Sequence, residues 1–213
     1  MPKPLKGLDH LTSRQRVILS DEQKYSLFRE AGILRRWYTT TMTDFDNDVT
    51  AKEKVQNYIL NFDAYRSKGI GLYLYGSNGV GKTHLLMEVL KELILQRYTV
   101  RVVTLGTLVS LYTQGWYDKE ANAEFNKLYK LPYILAIEEI GKEYKSGDND
   151  LGRTVIDTIV RYRNQDMKPL LFAANHQPKD LARIYSTDIS SMLKEMVITI
   201  LVQGTDRRTL PNI

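Results

Sequence analysis

The chain has no cysteine anywhere in its 213 residues. That excludes disulfides, cysteine-ligated zinc and thiol catalysis. Histidine is scarce too, with three scattered copies, so no structural metal centre is expected. No apolar run approaches the length that a membrane-spanning helix requires. Met1 to Leu11 lacks the apolar centre of a secretory signal. Internal repeats and low-complexity tracts are missing as well. These absences fit a cytoplasmic protein with no membrane partner. The net charge of +5 is modest and mildly favours an anionic partner such as nucleic acid.

What is present is the pattern of an α/β domain. Five short apolar runs follow one another: IGLYLY (70–75), VRVVTL (100–105), YILAIE (133–138), PLLFAA (169–174) and MVITILV (196–202). Each has the length and the β-branched or large apolar content of a buried strand. Helical patterns separate them, the clearest being THLLMEVLKELILQRY, with Leu85, Leu86, Val89, Leu90, Leu93 and Ile94 on one side. Strands and helices in alternation indicate a parallel sheet covered on both faces. Ahead of the first strand, TAKEKVQNYILNFDAY reads as one amphipathic helix. Ser20-Asp21-Glu22 reads as an earlier helix start, and TTTMTDFDND (39–48) as a loop. The expected division is a short helical N-terminal extension and linker over 1–48, with the catalytic domain over 49–213.

The first strand runs into GSNGVGKT (Gly76 to Thr83), which satisfies G-x-x-x-x-G-K-[ST]. Strand, glycine-rich turn and helix are the context that a phosphate-binding loop needs. Glycines allow a tight turn whose N–H groups converge on phosphate oxygens, and the helix N-terminus adds its dipole. Gly76, Ser77, Asn78, Gly79, Val80, Gly81, Lys82, Thr83 and His84 are therefore the candidate nucleotide-binding residues. Lys82 would neutralise the β- and γ-phosphates, and the Thr83 hydroxyl would ligate Mg²⁺. The third run ends in two carboxylates. Glu138 is the candidate for the Mg²⁺ shell and Glu139 for orienting the attacking water. The fourth run ends at Asn175, a polar group at the carboxyl end of a strand, where open α/β sheets bind ligands. ATP and Mg²⁺ are the cofactors expected.

Four segments occur in an order that resembles a known group: GSNGVGKTHL (76–85), IEEIG (137–141), KPLLFAAN (168–175) and GTDRR (204–208). The sequence resembles the AAA+ ATPases of the bacterial helicase-loader family, of DnaC and DnaI type, relatives of the transposition ATPase IstB and the initiator DnaA. The resemblance implies an AAA+ P-loop NTPase fold, with a five-stranded parallel sheet in the order 5-1-4-3-2 and little or no C-terminal lid. It implies ATP-dependent homo-oligomer assembly, single-stranded DNA and a replicative DNA helicase as partners, and ATP hydrolysis. By position it makes Lys82 and Thr83 Walker A residues, Glu138 and Glu139 Walker B, Asn175 sensor 1 and Arg208 sensor 2. GTLVSLYTQG and KEANAEFNKLYK would form two helices between the second and third strands, like the extra helix of that clade.

This chain departs from the family at several points. Glu138 stands where aspartate is usual, and Met192 stands where the arginine finger is usual. A methionine supplies no charge to a transition state across a subunit interface; Lys194 and Arg183 are the nearby cations. Hydrolysis is accordingly expected to be slow and to respond to DNA or a partner. The short extension lacks a zinc-bearing helicase-binding module. Its size and departures would suit a phage or mobile element. Candidates for single-strand contact are Arg153, Arg161, Arg163 and Lys168 with Tyr112, Trp116, Tyr117 and Tyr144, because basic and aromatic groups together suit phosphate and base. The sequence-based reading is a helicase loader. An IstB-like transposition ATPase and a nucleotide-dependent binding module with little hydrolysis are the alternatives.

Overall fold

The computed structural model of the protein describes residues 19–141 and 149–207. Helix α1 (Asp21–Glu30) begins at a capping box. The Ser20 side chain accepts from the Gln23 N–H, and the Gln23 side chain accepts from the Ser20 N–H. Two 3₁₀ turns (Arg35–Trp37 and Met42–Asp44) lead to α2 (Val49–Leu60) and α3 (Phe62–Arg66). The single helix expected over this stretch is thus broken at Asn61. Its side chain donates back to the Asn57 carbonyl, so local hydrogen bonding competes with helix continuation.

The remaining elements alternate as the apolar runs suggest. They are β1 (Gly71–Tyr75), α4 (Lys82–Leu95), β2 (Val100–Thr104), α5 (Leu105–Gln114), α6 (Lys119–Lys130), β3 (Ile134–Ile140), α7 (Asn149–Gln165), β4 (Leu170–Ala174), α8 (Leu181–Ile184), α9 (Thr187–Met196) and β5 (Val197–Leu201). All four strand pairings are parallel, in the order β2-β3-β4-β1-β5. This is the expected 5-1-4-3-2 order, and α5 and α6 are the expected helix pair between the second and third strands. Among the described residues, no helix is long and apolar enough to cross a membrane.

Alternation along each strand splits the core into two layers. Leu72 and Leu74 of β1, Ala136 of β3 and Leu171 of β4 face α2 and α4. Tyr73, Leu135, Ile137 and Phe172 face the layer of α5 to α9. The segment before α2 belongs to the first layer, where Phe28, Ile33 and Phe45 are buried with Leu85 and Val89. It also covers an open sheet edge, since the Val102 N–H of β2 donates to the Ala31 carbonyl at 2.8 Å.

Among the described residues, one charged side chain is wholly inside. Arg163 of α7 is 0% exposed. It donates to the carbonyls of Tyr129 (2.8 Å), Pro132 (3.2 Å), Tyr133 (2.6 Å) and Pro169 (2.9 Å). The guanidinium therefore ties the end of α6 to the starts of β3 and β4. This corrects its listing among the nucleic-acid contacts, because a group with no exposed surface cannot meet a phosphate. Burial lowers its pKa from the ordinary arginine value, while the charge of Asp166 opposes that shift. We predict that Arg163→Ala loses about 3 kcal/mol or more of stability, because four carbonyls lose their donors inside the core. Urea unfolding checks this, and an unchanged midpoint would refute the structural role.

Candidate nucleotide site

The carboxyl ends of β1, β3 and β4 open into a cleft of about 600 Å³. The phosphate loop forms its floor. Gly76 turns the chain out of β1, and Gly81 serves as the N-cap of α4, with no side-chain cap on the first turn. The early N–H groups of α4 therefore have no intrahelical acceptor and suit an anion. Gly79 and Gly81 hold φ at +76° and +99°, a region that L side chains rarely adopt. Gly81 has a second reason to lack a side chain, since a Cβ there would come within 2.6 Å of the Phe45 ring. Lys82, 8% exposed, folds back to donate to the carbonyls of Gly76 (2.9 Å) and Ser77 (2.6 Å). Its ammonium is thereby held inside the curl of the loop. Asn78 to His84 all line the cleft.

Glu138 and Glu139 both line the cleft, which a regular strand would not allow, since neighbours alternate faces. The β3 register explains it. Glu138 pairs with Ala173 and Ile140 with Ala174, so Glu139 is an extra residue in the strand. Its φ of 66° places a non-glycine residue in the left-handed region. The bulge re-aims the second carboxylate toward the first. Thr104, the neighbour of Glu138 across β2, lines the same wall, while its hydroxyl caps α5 by accepting from the Thr107 N–H. Asn175 follows β4 directly and also borders the cleft. The loop after it is fixed by the Tyr73 hydroxyl, which donates to the His176 carbonyl at 2.9 Å.

Several lining groups escaped the sequence analysis because they lie far away in the chain. Leu34, Arg36, Trp37, Asp44 and Phe45 form a roof from the segment read as a linker and loop. His84 lies between two of these aromatics, 5.7 Å from the Trp37 ring and 5.8 Å from the Phe45 ring. Two hydrogen bonds from Thr41, first its hydroxyl and then its N–H, hold the Asp44 carboxyl below its ordinary pKa. Arg207 also borders the cleft and pairs with Asp46. Its backbone N–H donates to Gly79, and Asn47 bridges Val80 to Thr205, so the end of the described chain is clipped to the phosphate loop. Arg208 and Tyr144 lie outside the described residues. Met192, in the arginine-finger position, packs partly buried against the second core layer. Lys194 and Arg183 are exposed.

The remaining nucleic-acid candidates divide by environment. Trp116 is 57% exposed and Tyr117 92% exposed, at the turn between α5 and α6. Tyr112 packs against Phe125. Arg161 is paired with Asp157, and Lys168 with Asp166. Arg153 is exposed, with one contact to the Ile184 carbonyl.

Similarity to known proteins follows the fold. The bacterial DnaA ATPase domain matches residues 45–199. The replicative helicase loader DnaI of Bacillus subtilis is 32% identical over 114 residues, covering 54% of this chain and 36% of that protein. The loader DnaC of Escherichia coli is 22% identical, covering 70% of this chain and 59% of that protein. The chain therefore spans less than two thirds of these relatives. Among solved structures, a DnaC helicase loader superposes with a TM-score of 0.68 at 21% identity, over 80% of this chain and 100% of that one. DnaA bound to AMPPCP and single-stranded DNA gives 0.64 at 19% identity, over 81% and 51%. With the family model matching most of the chain, the chain belongs to the bacterial DnaA ATPase-domain family, and it shares the AAA+ P-loop fold of the DnaI and DnaC structures.

Proposed function

We propose that the protein binds ATP with Mg²⁺ in this cleft, hydrolyses it slowly and serves DNA replication as a replicative helicase loader. The observation that carries this reading is the convergence of the phosphate loop, two carboxylates and Asn175 on one cleft in a member of this family. The loop and the first turn of α4 supply N–H donors for phosphate oxygens. Lys82 exchanges the carbonyls of Gly76 and Ser77 for phosphate. The Thr83 hydroxyl and Glu138 suit Mg²⁺, a hard cation that prefers oxygen ligands. When bound, the metal neutralises developing charge on the phosphates. Glu139, re-aimed by the bulge, orients the attacking water, and Asn175 steadies it. The flat face of Trp37, partly exposed in the cleft, suits a base. Arg208 is the proposed sensor 2 residue.

The relatives' names support the partner. Two are replicative helicase loaders, and the DnaA structure holds single-stranded DNA. We assign the DNA contact to the exposed basic and aromatic groups that remain, chiefly Trp116, Tyr117 and Arg153. Residues 1–48 are the proposed helicase-binding part, and ATP-dependent assembly of several copies in the cytoplasm completes the reading. One observation favours a second reading. Met192 packs inward and offers no charge to a neighbouring subunit, as in a nucleotide-dependent module that scarcely turns over.

Three measurements test these assignments. Lys82→Ala should lose ATP binding; undiminished affinity would sink the site. Glu139→Gln should keep ATP affinity while turnover falls by about 10²-fold or more. Full activity in that variant would remove Glu139 from the chemistry. Capture of binding partners from the native cell with ATP and Mg²⁺ should recover a replicative helicase. Recovery of a transposase without a helicase would move the protein to the transposition branch.

A further inference from the structure

The roof of the cleft, residues 34–45, has little regular structure and mostly exposed side chains. Apolar burial alone does not fix it. Its polar groups are held by one face of α4, through His84, Glu88 and Lys91, which lie at i, i+4 and i+7. Lys91 donates to the Trp37 carbonyl (2.8 Å), to the Thr40 carbonyl and to the Thr40 hydroxyl (3.1 Å). The Thr40 hydroxyl donates to Glu88 at 2.7 Å, and Glu88 closes the ring by pairing with Lys91 at 2.8 Å. One turn nearer the loop, His84 Nε2 donates to the Thr41 carbonyl at 3.1 Å.

Glu88 and Lys91 are each 5% exposed. A buried ammonium and carboxylate are tolerated only while their hydrogen-bond partners are in place. If the roof lifted, Lys91 would lose three acceptors and Glu88 a donor, with both charges still set among apolar side chains. The roof is therefore indexed to α4. That helix begins at Lys82, so the distance from the aromatic wall to the phosphate loop is set by the same helix that binds phosphate.

We infer that Lys91, Glu88 and Thr40 are positioning residues for nucleotide binding, acting through Trp37 to fix the site of the base without touching it. This rests on the ATP reading above. It separates two parts of one ligand: the loop grips the triphosphate, and the latch grips the base by way of the roof.

The test uses the full chain carrying Trp116→Phe, which leaves Trp37 as the sole tryptophan. Lys91→Met and Thr40→Val are compared with their parent for binding of ATP·Mg²⁺ and of magnesium tripolyphosphate, which has no base. Lys91→Met should raise the Kd for ATP about tenfold, and Thr40→Val about threefold. Tripolyphosphate should change less than about twofold in either, and turnover at saturating ATP should hold while KM rises. Trp37 emission should shift to the red in Lys91→Met with no ligand present. Thr40→Val removes one hydroxyl and strands no buried charge in an apolar site, so it keeps the test available if Lys91→Met does not fold. Equal weakening toward both ligands, or unchanged ATP affinity in Thr40→Val with the emission shifted, would overturn the inference. A parent that binds neither ligand would overturn the ATP reading and this inference with it; Trp37 emission would still report separately whether the latch holds the roof.

Discussion

Helix α4 is buried on nearly every side, and the other elements are arranged around that constraint. Its apolar residues, Leu85, Leu86, Val89, Leu90 and Leu93, have no exposed surface. A helix buried on nearly every face needs cover in every direction. The sheet supplies one side, α2 the next, and the segment before α2 the rest. The helix also carries Lys82, Glu88 and Lys91 into that cover, and each charge has been given oxygen or nitrogen partners rather than an exit to water. One buried rod thus serves as core, anion-binding terminus and anchor for the roof.

The strands could be read from composition because parallel strands buried on both faces are apolar throughout. The five runs locate β1 to β5 to within about two residues, the usual uncertainty of such ends. The sheet order came from resemblance, since nothing in a run of leucines states its neighbours. The cleft was legible where its residues are local. Asn78 to Thr83 form one continuous motif, and Glu138, Glu139 and Asn175 end strands. What composition could not reveal depends on distant parts of the chain. The bulge at Glu139 is set by its pairing with β4, and the roof by contacts across some fifty residues. Arg163 shows the same limit in reverse. An arginine in a polar stretch of helix reads as exposed, but the carbonyls that bury it come from the chain around α6, β3 and β4.

The arrangement separates rigid from adjustable chemistry. The phosphate loop rests on backbone N–H groups and on glycines whose conformation no other residue matches easily. The roof is a segment held by side-chain hydrogen bonds, and its aromatic side chains give the cleft an apolar wall. Glu138 and Glu139 lie between the two, on a strand whose bulge sets their aim. Arg207 borders the cleft and is paired with Asp46, while Met192 packs against the second core layer.

The strand order also bears on synthesis. Strand β1, which ends in the phosphate loop, is flanked by β4 and β5, the two described strands furthest along the chain. When the loop leaves the ribosome, both of its lateral supports are still untranslated. The cleft closes only after residue 201 has emerged, and its clip to Gly79 only after residue 207. A nascent chain can therefore collapse its early helices before the sheet that supports the phosphate loop is complete, and the cleft takes shape in one late step.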